Sequence, residues 1–273
     1  MMRSLYSGVS GLRNHQTRMD VIGNNIANVN TVGFKKDRVN FQDVFYQMLV
    51  APAPPPEAGT QSGVNGQFVG IGVGVGSTDT LHTQGAVMYT GAPTDAMISG
   101  DGYFILTDTD GNTYYTRSGV FGIDTEGRLI NKANGLYVAG VNDNQIVLGN
   151  IEDIASFSID RNGAVSVTDL NETTTTVDNI KLAKFANPEG LQKVGETMFK
   201  ETVTSGQPLT LGEGGVPGYD GLGTLVPGSL EMSNVDLAQE FTDMITTQRG
   251  FQANARIITV SDEMLQEVVN LKR

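Results

Sequence analysis

Cysteine is missing from the chain, and histidine occurs only twice, as His15 and His82. The absence of cysteine excludes disulfide bonds, thiolate metal sites and cysteine nucleophiles. Two histidines so far apart in sequence are a poor basis for a zinc hydrolase site or for histidine-based catalysis. We interpret His15 as lying on the exposed side of an N-terminal helix, and His82 as a surface or packing residue near a strand.

Long apolar runs are also missing. No stretch approaches the roughly 20 consecutive apolar residues of a membrane-spanning helix, so we predict no membrane insertion. The N-terminus has no apolar run followed by a small-residue cleavage site, and we therefore expect a protein that stays in the cytosol or is exported without cleavage. Thirty acidic against 18 basic residues give a net charge of −12, which argues against general nucleic-acid binding. The first fifty residues are nevertheless net basic, and residues 231–273 are net acidic.

Each end of the chain carries an apolar heptad, which predicts two long helices that pair as a coiled coil. Gly8, Gly11 and Gly23 weaken the first helix, which therefore needs a partner. Because ordering the backbone of two long helices opposes the gain from burying their seam, we expect both ends to be largely disordered in a monomer. Two ordinary amphipathic helices packed on a globular core remain the alternative. Asn234 is the predicted N-cap of the second helix. The predicted seam consists of Leu5, Leu12, Met19, Ile26, Leu237, Phe241, Met244, Phe251, Ile258 and Leu265.

Between the helices the pattern changes to short strands and tight turns, and glycine is abundant, with 34 of 273 residues. One Asp-x-x-Gly turn recurs three times, at 108–111, 124–127 and 160–163, as expected for antiparallel hairpins. The predicted fold class is α+β, with an antiparallel β domain inserted between paired terminal helices. The predicted segments are a helical domain of residues 1–33 and 233–273, a linker at 34–67, a β domain at 68–205 and a Gly/Pro-rich return linker at 206–232.

Motifs for chemistry are weak, and we predict no catalytic, metal or cofactor site. The alternating glycines of 70–76 have the wrong spacing for a nucleotide-binding loop and are interpreted as one extended strand. Asp108 and Asp110 resemble calcium ligands, but Gly111 arrives too early for an EF-hand, so a turn explains them better. Carboxylate pairs such as Asp262 with Glu263 have no feature that separates their pKa values for acid–base catalysis.

A polar cluster ends the first helix, since four asparagines lie within seven residues and favour non-helical backbone. Gly33 is able to redirect the chain, and Phe34 offers an apolar anchor. The cluster is interpreted either as an elaborate helix C-cap or as a contact to a neighbouring subunit. Its residues are Asn24, Asn25, Ala27, Asn28, Thr31, Gly33 and Phe34.

Several spaced blocks resemble bacterial flagellar rod and hook proteins over nearly the full length. The N-terminal blocks are residues 7–12, 24–28 and 31–35, the internal blocks are 95–104 and 116–121, and the C-terminal blocks are 230–237 and 248–254. The resemblance implies a structural subunit of the flagellar axis, whose terminal helices form an inner domain and whose β domain forms the outer wall. It also implies export by the flagellar type III apparatus without signal cleavage, and helical polymerisation with itself beside rod, hook-cap and hook–filament junction proteins.

The chain has no room for the extra outer domain of longer hooks, and the segments 232–237 and 267–273 resemble the compact hook, which the resemblance therefore favours. A distal rod protein is the alternative. The proline-rich segment 51–56 departs from the compact-hook pattern. A secreted β-domain binding protein with oligomerisation helices, and a closed coiled-coil oligomer, remain as hypotheses of other classes.

Overall fold

The computed structural model describes residues 2–52, 63, 65–141, 145–149, 154–170, 173–209, 215–219 and 221–271. The described residues fall into two compact units. The helix unit draws on residues 1–26, 37–79 and 236–273, and the sheet unit on 27–36 and 80–235. The predicted α+β class is confirmed. No helix among the described residues is long and apolar enough to cross a membrane.

The helix unit contains the two terminal helices and two small sheets, in which β1 pairs with β4 and β2 with β3. The β1–β4 sheet is tied to the N-terminal helix, because Asn14 Nδ2 donates to the Val73 carbonyl at 2.6 Å. The elements are α1 (Met2–Ala27), β1 (Asp37–Asp43), β2 (Tyr46–Val50), β3 (Gln67–Gly70), β4 (Val73–Thr80) and α2 (Leu237–Leu271).

The interpretation of 70–76 as one strand is wrong, because the strand breaks between β3 and β4. Gly72 has φ +139°, which a residue with a side chain rarely adopts, and its carbonyl accepts from Val44 N–H at 3.1 Å. An added Cβ at Gly72 would also lie 2.4 Å from Ser10 Oγ. The glycine therefore permits a bend of the hairpin against α1.

The sheet unit is built on an eight-stranded antiparallel sheet in the order β16-β17-β8-β7-β11-β10-β9, with β15 also paired to β7. A three-stranded sheet, β12-β13-β14, and the pairs β18-β6 and β19-β5 complete it. Its strands are β5 (Val87–Tyr89), β6 (Ala96–Ser99), β7 (Tyr103–Thr107), β8 (Thr113–Thr116), β9 (Phe121–Ile123), β10 (Leu129–Asn131), β11 (Tyr137–Val138), β12 (Ile154–Ile159), β13 (Ala164–Asp169), β14 (Thr174–Asn179), β15 (Leu182–Ala183), β16 (Gln192–Gly195), β17 (Met198–Lys200), β18 (Thr224–Pro227) and β19 (Ser229–Glu231), with a 3-10 turn at Pro188–Gly190.

All three predicted Asp-x-x-Gly turns are confirmed. The fourth-residue N–H of Gly111, Gly127 and Gly163 donates to the carbonyl of the first-residue aspartate at 2.9–3.0 Å. Each of these glycines has a positive φ, between 73° and 82°. The turns close hairpins around a core of fully buried side chains that includes Phe104, Phe121 and Leu129.

The boundaries of the two units differ from the boundaries of the predicted domains. The predicted linker 34–67 contains β1 and β2, and the predicted return linker 206–232 contains β18 and β19. The proline-rich segment lies, from residue 53 onward, outside the described residues. The proline run at 52–56 and the eight glycines of 206–232 indicate irregular backbone, but strands lie beside them in both segments.

Candidate assembly site

The contact between α1 and α2 is antiparallel, and all but one of the buried residues of the two helices are small or polar. Ser4 Oγ lies 3.5 Å from Ser261 Oγ near one end, and Asn25 Nδ2 donates to Glu240 Oε2 at 3.2 Å near the other. The buried residues of the two helices are Gly8, Gly11, Ile22 and Asn25 on α1, and Glu240, Thr247 and Ser261 on α2.

Two glycines of α1 permit this close approach. An added Cβ at Gly11 would lie 2.6 Å from Asn254 Nδ2, and one at Gly8 would lie 3.3 Å from Ile258 Cγ1. At Gly23, by contrast, an added Cβ would meet nothing within 4 Å. Gly8 and Gly11 therefore allow the two helices to pack closely. This packing explains why glycine, which weakens an isolated helix, occupies both positions.

The pair Gly11→Ala and Gly23→Ala tests this packing. Both substitutions raise helix propensity by about 1 kcal/mol and restrict the unfolded chain alike. We expect Gly23→Ala to stabilise the protein, whereas Gly11→Ala pushes Asn254 away and ends about 1–3 kcal/mol less stable than its counterpart. Urea denaturation followed by helical circular dichroism measures both. Equal stabilisation by the two substitutions would contradict the close contact.

The fully buried residues of the two helices are not those of the predicted seam, although most seam residues lie beside them. The buried row of α2 comprises Glu240, Thr247 and Ser261, one position before the row that contains Phe241. An apolar heptad does not reveal this row, because closely packed helices place small and polar residues between them. Of the predicted seam, Leu237 and Phe241 are exposed, and the half-buried members are Leu5, Leu12, Met19, Ile26, Met244, Phe251, Ile258 and Leu265.

One consequence is an apolar row on the solvent side of α2. Leu237, Phe241 and Ile245 follow at intervals of four residues and are 40%, 49% and 59% exposed. Residues spaced by four share one face of a helix, so these three form a continuous strip. We call it the outer row. Within the chain its side chains remain half in solvent, which makes it a candidate surface for another subunit.

Asn25 of the asparagine cluster has an internal role. It is 1% exposed, donates to the Asp37 carbonyl at 2.9 Å and accepts from Asp37 N–H at 3.0 Å, in addition to its bond to Glu240. The hypothesis of a contact to a neighbouring subunit is therefore wrong for Asn25, because its amide is buried and bonded within one chain. Asn25 holds the end of α1 to the start of both β1 and α2.

Gly33 also acts inside the chain. Its φ is +71°, its N–H donates to the Glu231 carbonyl at 2.8 Å, and an added Cβ would lie 2.7 Å from Ser118 N. The subunit-contact hypothesis is wrong here as well, since Gly33 is buried. Phe34 is half-buried beneath the Lys193 ammonium, 5.2 Å from the ring centre.

The rest of the cluster lies closer to the surface. Thr31 Oγ1 donates to Asn28 Oδ1 at 3.1 Å, and the Thr31 N–H donates to the Asn28 carbonyl at 3.2 Å, which closes the turn after α1. Asn24 and Ala27 are exposed, and Asn28 and Thr31 are half-buried. For these four residues, the contact to a neighbouring subunit stays a prediction.

A buried ion cluster in the sheet unit was not predicted from sequence. Lys35 Nζ lies 2.6 Å from Glu231 Oε1, with both side chains fully buried, and Arg117 lies 3.5 Å from Glu231 Oε2. Lys35 also donates to the Thr83 carbonyl at 2.7 Å, and Glu231 accepts the Gly85 N–H at 2.9 Å. Burial lowers the pKa of Lys35, Arg117 lowers it further, and the Glu231 carboxylate opposes both. Lys35, Arg117 and Glu231 each lie in a block that resembles flagellar proteins, and the three blocks are different. The presence of one charged residue in each block is the sequence signal from which their contact could have been predicted.

His82 belongs to the packing beside this cluster, as interpreted. Its Nδ1 lies 2.7 Å from the Tyr103 hydroxyl, and the Arg117 guanidinium lies 5.1 Å from the centre of the Tyr103 ring. Burial raises the pKa of Tyr103 to about 12. The neighbourhood is therefore a rigid hydrogen-bonded core that joins separate segments of the sheet unit.

Three family models match the chain in order. The model described as Flagella basal body rod protein matches residues 5–35, and the Flagellar hook protein FlgE/F/G D1 domain matches residues 97–167. The model described as Flagellar basal body rod FlgEFG protein C-terminal matches residues 226–271. The matched segments contain Lys35, Arg117 and Glu231.

Curated relatives match from end to end. The Flagellar basal-body rod protein FlgG of Bacillus subtilis is 47% identical over 273 residues, covering 100% of both chains. The Flagellar hook protein FlgE of Borreliella burgdorferi is 32% identical over 448 aligned positions, and the rod protein FlgG of the same organism is 37% identical over 274, again with 100% of each chain covered. The chain is thus similar to both rod and hook subunits.

Proposed function

The chain belongs to the family of bacterial flagellar rod and hook proteins, and from that membership we propose that it polymerises helically into the hook. The hook is the hollow, flexible coupling that transmits torque from the rod to the filament and lets exported subunits pass. Support comes from the hook-domain match over 97–167 and from the hook relatives that align along the whole chain. The proposal includes no catalytic activity and no cofactor.

The exposure of the outer row is the observation that supports the proposed polymerisation. The helix pair is held together by polar and small residues, and this leaves Leu237, Phe241 and Ile245 about half exposed. Burying apolar surface contributes about 25 cal/mol per Å², so a neighbouring subunit that covers the row is stabilised by it. A head-to-tail contact of this kind, when its rotation does not close, generates an open helix. We propose that the seam residues and the exposed members of the asparagine cluster line such contacts.

A distal rod subunit is the second candidate. The relatives named as rod proteins align at nearly the length of this chain, whereas the hook relatives align over 448 and 470 positions. A rod subunit would use the same helix unit but form a stiff shaft. The two candidates therefore differ in the mechanics of the polymer.

Membership of the flagellar family also suggests how the chain is exported and which proteins lie next to it. We propose that the flagellar type III apparatus exports the chain without signal cleavage, and that rod, hook-cap and hook–filament junction proteins are its axial neighbours.

Electron microscopy of the purified protein, concentrated and salted out, tests the proposal. We expect tubes that curve or supercoil, as a flexible hook requires. Straight, stiff tubes would favour the distal rod instead. Closed particles of constant size would contradict an open axial polymer of either kind.

A further inference from the structure

His15 lies on α1 and packs against β1 and α2. This position contrasts with the exposed one that the sequence predicts. Its ring meets Phe41 of β1 edge to face, with 5.7 Å between centroids. On the side of α2 it faces Gly250, where an added Cβ would lie 2.7 Å from Cε1 and 2.8 Å from Nε2. The buried Nδ1 has no hydrogen-bond partner among the described residues. The backbone of α2 thus packs directly on an imidazole.

A charged residue, Arg18, lies near the His15 ring and is a cation. Arg18, one turn further along α1, places its guanidinium 5.9 Å from the centre of the same Phe41 ring and pairs with Asp243 of α2 at 3.2 Å. Phe41 of β1 and Gly250 of α2, which pack on His15, are uncharged, and the Asp243 carboxylate of α2 is already paired with Arg18. A proton on His15 would therefore add a positive charge next to Arg18, in a contact where Nδ1–H has no acceptor.

We propose that His15 is a pH-sensitive lock on the helix pair: the neutral imidazole lets α2 pack against α1, and its protonation releases α2. Gly250 is the matching half of the lock, because only a residue without a side chain leaves room for the ring. The proposal concerns one chain and holds for a hook or a rod subunit alike.

The direction of the pH effect follows from the chemistry of the site. Burial lowers the pKa of His15, and Arg18 lowers it further. A lowered pKa means that the paired helices favour the neutral ring, so the stabilisation is complete above the ordinary value of about 6.5 and is lost as the pH falls below it. Because one proton is linked, the equilibrium between separated and paired helices changes at most about tenfold per pH unit.

Hydrogen exchange of the full-length chain at pH 7.5 and pH 5.0, corrected for intrinsic exchange rates, tests the lock. We expect amides of 2–27 and 237–271 to lose protection by several-fold at pH 5.0. His15→Gln, which is neutral at both pH values, should keep its protection at both. His15→Lys, which is charged at both, should lack protection at both.

A positional control separates the lock from a general effect of histidine. His15→Gln combined with Gln16→His moves the imidazole by one residue to an exposed position of the same helix. This double variant should show no more pH response than His15→Gln alone. The proposal is overturned if the wild type keeps its protection at pH 5.0, if His15→Gln loses it equally, or if the helices are unprotected at both pH values.

Discussion

Replacing Glu231 with alanine is expected to destabilise the protein by about 3–5 kcal/mol, because it leaves two buried cations without their counter-charge. Lys35 and Arg117 both pair with this carboxylate, and the Lys35 and Glu231 side chains are completely buried. Gly85 N–H loses its acceptor in the same substitution. Chemical denaturation of the sheet unit, followed by near-ultraviolet circular dichroism of its tyrosines, measures the loss.

Two further variants show whether burial causes the effect. Lys35→Met should cost less than Glu231→Ala, since the carboxylate keeps Arg117 and the Gly85 N–H. Asp101→Ala breaks the Lys184–Asp101 pair at 3.1 Å, in which the aspartate is 72% exposed, and should cost less than about 1 kcal/mol. If Glu231→Ala cost no more than Asp101→Ala, the buried cluster would have no role in stability.

Phe241→Asp is expected to abolish polymerisation while the monomer keeps its stability. The ring is already 49% exposed in the single chain, so the folded monomer loses little, whereas a charge in the outer row opposes its burial against another subunit. Sedimentation of concentrated protein and electron microscopy measure the polymer, and chemical denaturation measures the monomer.

Gln248→Asp is the matched control, because residue 248 lies seven positions after 241 on the same helical row and is exposed. It introduces the same charge outside the apolar strip, and we expect normal tubes. Tubes from Phe241→Asp would exclude the outer row from the subunit contact. Ile258→Asp tests this less cleanly, since Ile258 packs against Gly8 within the chain.

Features set by neighbouring residues were predictable, and features set by distant residues were not. The turn at Asp108–Gly111 needs only its own aspartate and glycine, so its geometry follows from four residues. Short strands between tight turns, such as β7 at Tyr103–Thr107, follow from the same local pattern. The two-helix plan also follows from local periodicity.

The failures have tertiary causes. Asn234 was predicted as the N-cap of α2, but Asp236 Oδ1 accepts the Ala238 N–H at 2.9 Å and performs that role. Asn234 instead accepts the Lys36 N–H at 2.8 Å and donates to the Leu81 carbonyl at 2.7 Å. Its partners come from segments remote in sequence, and a pattern of helix-capping residues contains no information about them.

The order of strands in the sheet unit has a consequence for the rate of folding. Among the described strands β5 pairs with β19 and β6 with β18, and Lys35 pairs with Glu231 across 196 residues of sequence. Contacts between such distant segments form slowly, because the entropy of closing a long loop is lost before the contacts repay it. A chain that ends before residue 224 lacks both strands that pair with β5 and β6. The sheet unit therefore closes only when a segment near the C-terminal helix is available to it.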